Sequence, residues 1–291
     1  MSERSAPVLA GADGSASALD AVRAAAREAA LRRRPLRIVH AFIWPLMHVD
    51  TGPSEAVPEG GLRHDAERIL AEAAAAAAAE APAVEISTDL LTGAPAPVLL
   101  HAAREADLVV LGDRGLGGFS GLLLGSVAVQ VSSHSRTPVL VVRGRRDPAG
   151  PVLLGCDGSA GSTAAVTAAF TAAGLRGAEL LAVRVWRESP GVASTPLYDA
   201  ERARKEELEL LQDALDANRG RHAEVRVRTE LVLGRAGHEL VRLSGQAQLV
   251  VVGARGRGGF TGLLLGSVSQ QLLHHAACPV LIARDDHTPP A

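Results

Sequence analysis

The apolar positions of this chain fall into short aliphatic runs separated by longer alanine-rich stretches, the alternation expected of strands and helices. Pro7 to Ala12 (PVLAGA) reads as a short strand ending in Asp13-Gly14-Ser15, and Ser15 is placed to cap a helix running to about Arg34. Leu36 to Trp44 reads as a second strand, and Pro45 to Gly61, with three prolines and three glycines, as a loop. Leu62 to Ala81 follows as a second helix and Val84 to Leu91 as a third strand. Gly93 ends that strand, and Pro95 and Pro97 open a third helix reaching about Ala106. Leu108 to Leu111 is the fourth strand, a helix runs from Ser126 to about Ser133, and Val139 to Arg143, led by Pro138, is the fifth strand. Strands alternating with helices predict an α/β fold of parallel βαβ units, with helices on both faces of a doubly wound sheet.

The whole plan then recurs. Val152 to Cys156 leads into Asp157-Gly158-Ser159, Leu180 to Trp186 matches strand two, and Val225 to Leu233 matches strand three. Leu249 to Val252 and Val280 to Ala283 match strands four and five. Two tandem domains are expected, residues 1–147 and 148–291, with Arg145 to Gly150 as a polar linker. Asp13 and Asp157 are offset by 157 − 13 = 144 residues, whereas Gly112 and Gly253 are offset by 253 − 112 = 141. Pairing Ala41 with Val185 places the loss of three residues between strands two and three, where the loop and second helix best tolerate a length change.

The strongest signal is Gly112 to Val127, GDRGLGGFSGLLLGSV, which returns at Gly253 to Val268 as GARGRGGFTGLLLGSV with thirteen of sixteen positions identical. Each copy lies between an apolar strand and a helix, the backbone arrangement that holds a phosphate. In an open α/β sheet a ligand binds beyond the carboxyl ends of the strands where the winding reverses. For a 3-2-1-4-5 strand order, that crevice has the Asp13 turn on one side and the Gly112 turn on the other. Gly112 and Gly115 are expected to provide close backbone approach and positive φ, and Gly125 and Ser126 an anion-favouring helix N-terminus. A carboxylate at Asp13 would repel phosphate but can accept from a ribose hydroxyl or a base amino group. Arg114 and Arg255 either assist the phosphates or are solvated. Asp13 and Asp157 also have a plain reading as turn formers, and Ser126 as a helix cap.

Composition narrows the chemistry. The 291 residues are 47% hydrophobic but only 2% aromatic, so the cores must be aliphatic, as in sheets buried on both faces. A net charge of −2 gives no nucleic-acid footprint. Lys205 is the only lysine, which excludes a P-loop with its phosphate-binding Lys. Cys156 and Cys278 read as buried structural thiols. The N-terminus carries no signal pattern and no apolar run approaches the roughly 20 residues of a membrane span. A cytoplasmic protein with no membrane partner is expected.

The pattern G-x2-G-x9-G-[ST] after strand four, with an Asp at the end of strand one, resembles the universal stress protein family, and the chain resembles its tandem-domain members over nearly its whole length. The resemblance implies a five-stranded parallel sheet per domain, ATP in the switch-point crevice, and pairing through strand five, between domains or in a homodimer. It implies that Asp13 and Ala41 contact adenosine, and that Gly112, Gly115, Gly125, Ser126 and Val127 contact ribose and phosphates. Asp157, Val185, Gly253, Gly256, Gly266, Ser267 and Val268 are the matching set in the second domain. Gly11 and Gly155, together with Gly117, Gly118, Gly258 and Gly259, complete the candidate positions. Asp113, where the second copy has Ala254, would weaken phosphate binding if it faced the ligand, and Ala41 gives a looser adenine wall than Val185.

No catalytic constellation is visible. The ten histidines are scattered without metal-ligand spacing, no Gly-x-Ser-x-Gly elbow occurs, and no repeated carboxylate cluster flanks the loops, although a nucleotide's own phosphates could carry Mg²⁺. The expectation is an ATP-binding, stress-response regulatory protein that is not an enzyme. Its output would be a conformational change of the loops, read by a protein partner. A slow ATPase and an oligomeric scaffold that binds no nucleotide are the alternatives.

Overall fold

Four-residue strands made only of Val, Leu, Ala and Gly can be buried on both faces, and the strands at the centre of each half are of this kind. In a computed structural model describing residues 5–42, 59–116, 124–145, 149–187, 200–256 and 264–284, the chain divides into two units, Met1–Thr137 and Pro138–Ala291.

The first unit runs β1 (Val8–Gly11), α1 (Ala16–Arg32), β2 (Leu36–Phe42), α2 (Glu59–Glu80), β3 (Ile86–Thr92), α3 (Pro95–Ala102), β4 (Leu108–Gly112) and α4 (Ser126–His134). Its strands pair in parallel in the order β3-β2-β1-β4, with Val8 beside Leu36 on one side and Leu108 on the other. Ser15 caps α1 as expected: its hydroxyl accepts from the Ala18 N–H at 3.1 Å. Helix α1 lays Ala18, Ala21, Val22 and Ala25 on the sheet, and these small side chains bring its axis close to the strands.

The second unit contains β5 (Val139–Val142), β6 (Val152–Gly155), α5 (Ala160–Arg176), β7 (Leu180–Trp186), α6 (Ala200–Arg219), β8 (Val227–Leu233), α7 (Ala236–Ser244), β9 (Leu249–Gly253), α8 (Ser267–His275) and β10 (Val280–Ala283). The order β8-β7-β6-β9-β10 is parallel throughout, and β5 adds to the β10 edge antiparallel, with Val139 opposite Ile282. Among the described residues Phe170 is the one aromatic among the large, fully buried core side chains, stacked on His222 at 5.7 Å. The aliphatic character of both cores follows from the composition.

Several local expectations change. Helix α2 begins at Glu59, so Glu59, Gly60 and Gly61 are helical rather than loop; Pro45 to Pro58 lie outside the described residues. Strands β3 and β8 begin two residues later than Val84 and Val225. Arg145, expected in a free linker, is packed: its N–H donates to the Ala277 carbonyl at 3.1 Å and its guanidinium to the Ala247 carbonyl at 3.0 Å. Ser159 occupies the capping position of α5 without making a side-chain cap. No helix among the described residues is long and apolar enough to cross a membrane.

Candidate functional site

Strand β1 ends at Gly11 and the chain turns through Asp13-Gly14-Ser15 into α1; β4 ends at Gly112 and enters the glycine-rich loop. Because β1 and β4 are neighbours with helices leaving in opposite directions, their carboxyl ends open into a crevice. Asp13 joins its two walls. Oδ1 accepts from the Ser15 N–H at 2.9 Å, within its own turn, and Oδ2 accepts from the Leu116 N–H at 3.0 Å, across in the loop. The aspartate is therefore a turn former and a cross-crevice tie at once.

Contact, not backbone angle, explains Gly112 and Gly115. Neither Gly112 nor Gly115 has positive φ, which corrects the expectation; the left-handed glycines beside the crevice are Gly14 and Gly158, after each aspartate. A Cβ on Gly112 would meet the Ser17 carbonyl oxygen at 2.7 Å, and one on Gly115 would meet Asp13 Oδ2 at 2.5 Å. The far end of the loop is pinned back on its start by the Gly125 N–H donating to the Asp113 carbonyl at 2.7 Å. Gly125, not Ser126, holds the capping position of α4, in extended conformation and with no side-chain cap. The first-turn N–H groups of α4 thus have no intrahelical acceptor and face the cavity end of the loop with the positive end of the helix dipole.

The result is a cavity of about 350 Å³ in the first unit. Gly11, Asp13, Ala41, Gly112, Arg114, Gly115, Gly125, Ser126 and Val127 all line it. The second unit has its own cavity of about 360 Å³, lined by Gly155, Asp157, Val185, Gly253, Arg255, Gly256, Gly266, Ser267 and Val268. Gly117, Gly118, Gly258 and Gly259 lie outside the described residues. Apolar wall positions were not anticipated: Val39 and Leu99 in the first cavity, Val183 and Leu240 in the second. The signal for them was present, since each pair sits at the 144 or 141 offset of the duplication.

Asp113 does not face the first cavity. It turns behind the loop, where it accepts from the Ser17 hydroxyl at 2.8 Å and stands 3.7 Å from Arg114 Nε. In the second unit, Gly161 occupies the place of Ser17, and Ala254 that of Asp113; a Cβ on Gly253 would collide with the Gly161 carbonyl oxygen. Asp157 is held locally, Oδ1 accepting from the Ser159 N–H at 2.9 Å and from the Ser162 hydroxyl at 2.5 Å. Cys156, also on the cavity wall, has its thiol pKa raised by burial. Both cysteines are free and buried, as expected. Among the described residues no group of three or more His, Cys, Asp and Glu could hold a metal ion.

A doubly wound α/β unit with a glycine loop, an uncapped helix N-terminus and an aspartate turn at its switch point, present twice in tandem, defines a two-domain protein with one crevice per domain. The chain belongs to the universal stress protein family, whose model matches residues 5–143 and 149–284. It is 35% identical over 291 residues to a universal stress protein of Mycolicibacterium smegmatis, covering 95% of this chain and 96% of the relative. It is 37% identical over 288 residues to one of Mycobacterium tuberculosis, with the same coverage of each. The fold matches the crystal structure of a universal stress protein from Archaeoglobus fulgidus with a TM-score of 0.71 at 18% identity, covering 97% of this chain and 99% of that one.

Proposed function

We propose that the protein binds one adenine nucleotide, ATP, in each domain, and that binding has a conformational rather than a catalytic output in a stress response. The observation that carries this reading is the pair of cavities built from equivalent residues. Each has an apolar wall at one end, an aspartate in the middle, and backbone N–H groups of a glycine loop and a helix start at the other.

The residues present fit the group. Both cavities lie within the roughly 300–1,000 Å³ range of small-molecule sites. Val39, Ala41 and Leu99 offer an apolar slot for adenine, matched by Val183, Val185 and Leu240. Asp13 and Asp157 keep carboxylate lone pairs for a ribose hydroxyl beyond the bonds they already accept. Gly112, Gly115, Gly125, Ser126 and Val127 and their counterparts supply N–H groups to the phosphates. Any Mg²⁺ would be held through those phosphates. The conformational output follows from Asp13. A ligand hydroxyl competes with the Leu116 N–H for Oδ2, so occupancy changes how the loop is tied to β1 and what a protein partner meets at the loop surface. Pairing of two copies and a cytoplasmic location complete the proposal.

The test is to denature freshly purified protein and quantify released nucleotide by chromatography. About two ATP per chain is expected. One per chain would leave a single working site. None, with no binding on titration with Mg-ATP, would overturn the reading and leave a scaffold. Multiple-turnover phosphate release, lost in Gly115→Val, would replace the non-catalytic reading with a slow ATPase.

A further inference from the structure

We propose that the two cavities are graded by charge, the first selecting adenine ligands with a short, weakly charged tail and the second those with a polyphosphate, and that Asp113 sets the difference. This rests on the nucleotide reading above and assigns a ligand class to each site.

The lining charges are alike: Asp13 with Arg114 in one cavity, Asp157 with Arg255 in the other. The layer behind the loop is not. In the first unit the Asp113 carboxylate, only 14% exposed, sits 3.7 Å from Arg114 Nε and is fixed there by the Ser17 hydroxyl. The guanidinium best placed to meet a phosphate is already offset before any ligand arrives. In the second unit the same position is Ala254, buried at 6% exposure, and Arg255 has no carboxylate next to it in the chain. A second guanidinium stands near that loop. Arg284 follows β10, whose Ala283 carbonyl accepts from the Ala254 N–H at 3.2 Å, so its backbone lies alongside the loop that carries Arg255. Burial first, and Arg255 second, push the Arg284 pKa down to about 10, so Arg284 stays charged at neutral pH. Arg143, at the position of Arg284 in the first copy, instead donates to the Leu272 carbonyl at 2.9 Å.

Asp113 against Ala254 thus sets the two sites one charge apart, in the direction that favours a more anionic ligand in the second. The changes also come as a set. Ser17 with Asp113 and Gly161 with Ala254 are two self-consistent ways of packing α1 or α5 against the loop, one with a carboxylate and one without. The sequence continues Asp285-Asp286 after Arg284, so the charge difference is assigned to Asp113 and tested there.

The experiment titrates ATP and AMP separately into nucleotide-stripped, full-length protein by calorimetry. Gly256→Val leaves the first site to be read and Gly115→Val the second; circular dichroism checks that each is folded. The ratio of ATP to AMP affinity should be lower at the first site. Asp113→Asn keeps an acceptor for Ser17 and removes the charge. It should tighten ATP at the first site by about fivefold, the size of one partly screened charge, and AMP by clearly less, with the effect shrinking at high salt. Should either valine variant fail to fold, Asp113→Asn in the otherwise unaltered chain must shift one of two binding phases, for ATP more than for AMP. Equal ATP-to-AMP ratios at both sites would overturn the grading. So would an Asp113→Asn effect that is the same for both ligands, which is what a purely structural role predicts. Failure of the unaltered chain to bind any adenine ligand would overturn the nucleotide reading and the grading with it.

Discussion

The three motif glycines of each loop do different jobs, and alanine substitution separates them. At Gly112 an added Cβ would come to 2.7 Å from the Ser17 carbonyl oxygen and 2.8 Å from its carbon. Both are backbone atoms in the first turn of α1. That turn is held by the Ser15 cap and by the buried Ala18, Ala21 and Val22, so neither wall can swing aside. Strand end and helix must separate, an overpacking cost of about 1–3 kcal/mol. At Gly115 the obstacle is Asp13 Oδ2 at 2.5 Å, the end of a side chain that can rotate. Alanine there costs the Leu116 hydrogen bond, about 0.5–1.5 kcal/mol, and displaces the aspartate from the crevice. At Gly125 the nearest atom is the Asp113 carbonyl oxygen at 3.4 Å and φ is −72°, so a methyl group fits. The loss there is that of alanine for glycine at a capping position, about 1 kcal/mol or less. Urea denaturation followed by circular dichroism reads the series. With m near 1–3 kcal/mol per molar, Gly112→Ala should lower the midpoint by on the order of 1 M and Gly125→Ala by much less. The second copy repeats the test. A Cβ on Gly253 collides with the Gly161 carbonyl oxygen, whereas the nearest atom to one on Gly266 is at 3.4 Å. Equal midpoints for the Gly112 and Gly125 variants would refute the claim that backbone contact, rather than ligand contact, demands the first glycine.

Ser15→Ala should destabilise the first unit by about 1 kcal/mol, while Ser159→Ala, which removes no cap, should stay within about 0.5 kcal/mol; matched urea midpoints decide it. Burial pushes the Cys278 thiol up to about 12 and raises that of Cys156, so neither should react with iodoacetamide in the native protein near pH 8, and both should react after unfolding; rapid native labelling of Cys278 would contradict this. The His274 pKa is lowered by burial, then by His275 and Arg143. As pH falls, the unfolded chain takes up this proton first, so the stability contribution is complete above about 6.5 and is lost as pH drops through that value towards the folded pKa. His274→Gln should flatten the decline of the urea midpoint between about pH 7 and 5; an unchanged slope would count against it.

Strands β1, β4, β6 and β9 were legible because a strand buried on both faces must be aliphatic, and nothing else in the chain has four or five such residues bounded by glycine. The start of α2 was not, because Gly60 and Gly61 are poor helix formers and the helix that includes them is set by the residues after Gly61. Arg145 looked like linker because it is charged, yet its backbone and guanidinium both find carbonyl acceptors in the second unit. A sequence also reports that a glycine is present without saying whether an angle or a neighbour requires it. Positive φ was expected at Gly112 and Gly115 and occurs at Gly14 and Gly158, where the turn after each aspartate needs it.

Asp113 shows the same limit for a side chain. One residue inside a phosphate-type loop invites a reading of repulsion, but its direction depends on Ser17, 96 positions earlier in the chain. The duplication carries the missing information. At the 144 offset Ser17 becomes Gly161, and at the 141 offset Asp113 becomes Ala254, so the donor and acceptor disappear together. Two residues that change as a pair between copies are bonded to each other more readily than to a shared ligand, since a ligand would have held both in place. Gly112, Gly115, Gly125, Ser126 and their partners, which do not change, all line the cavities. By that reasoning the glycine frame is common to both domains, and the difference in charge between them lies one layer behind it, where Asp113 stands.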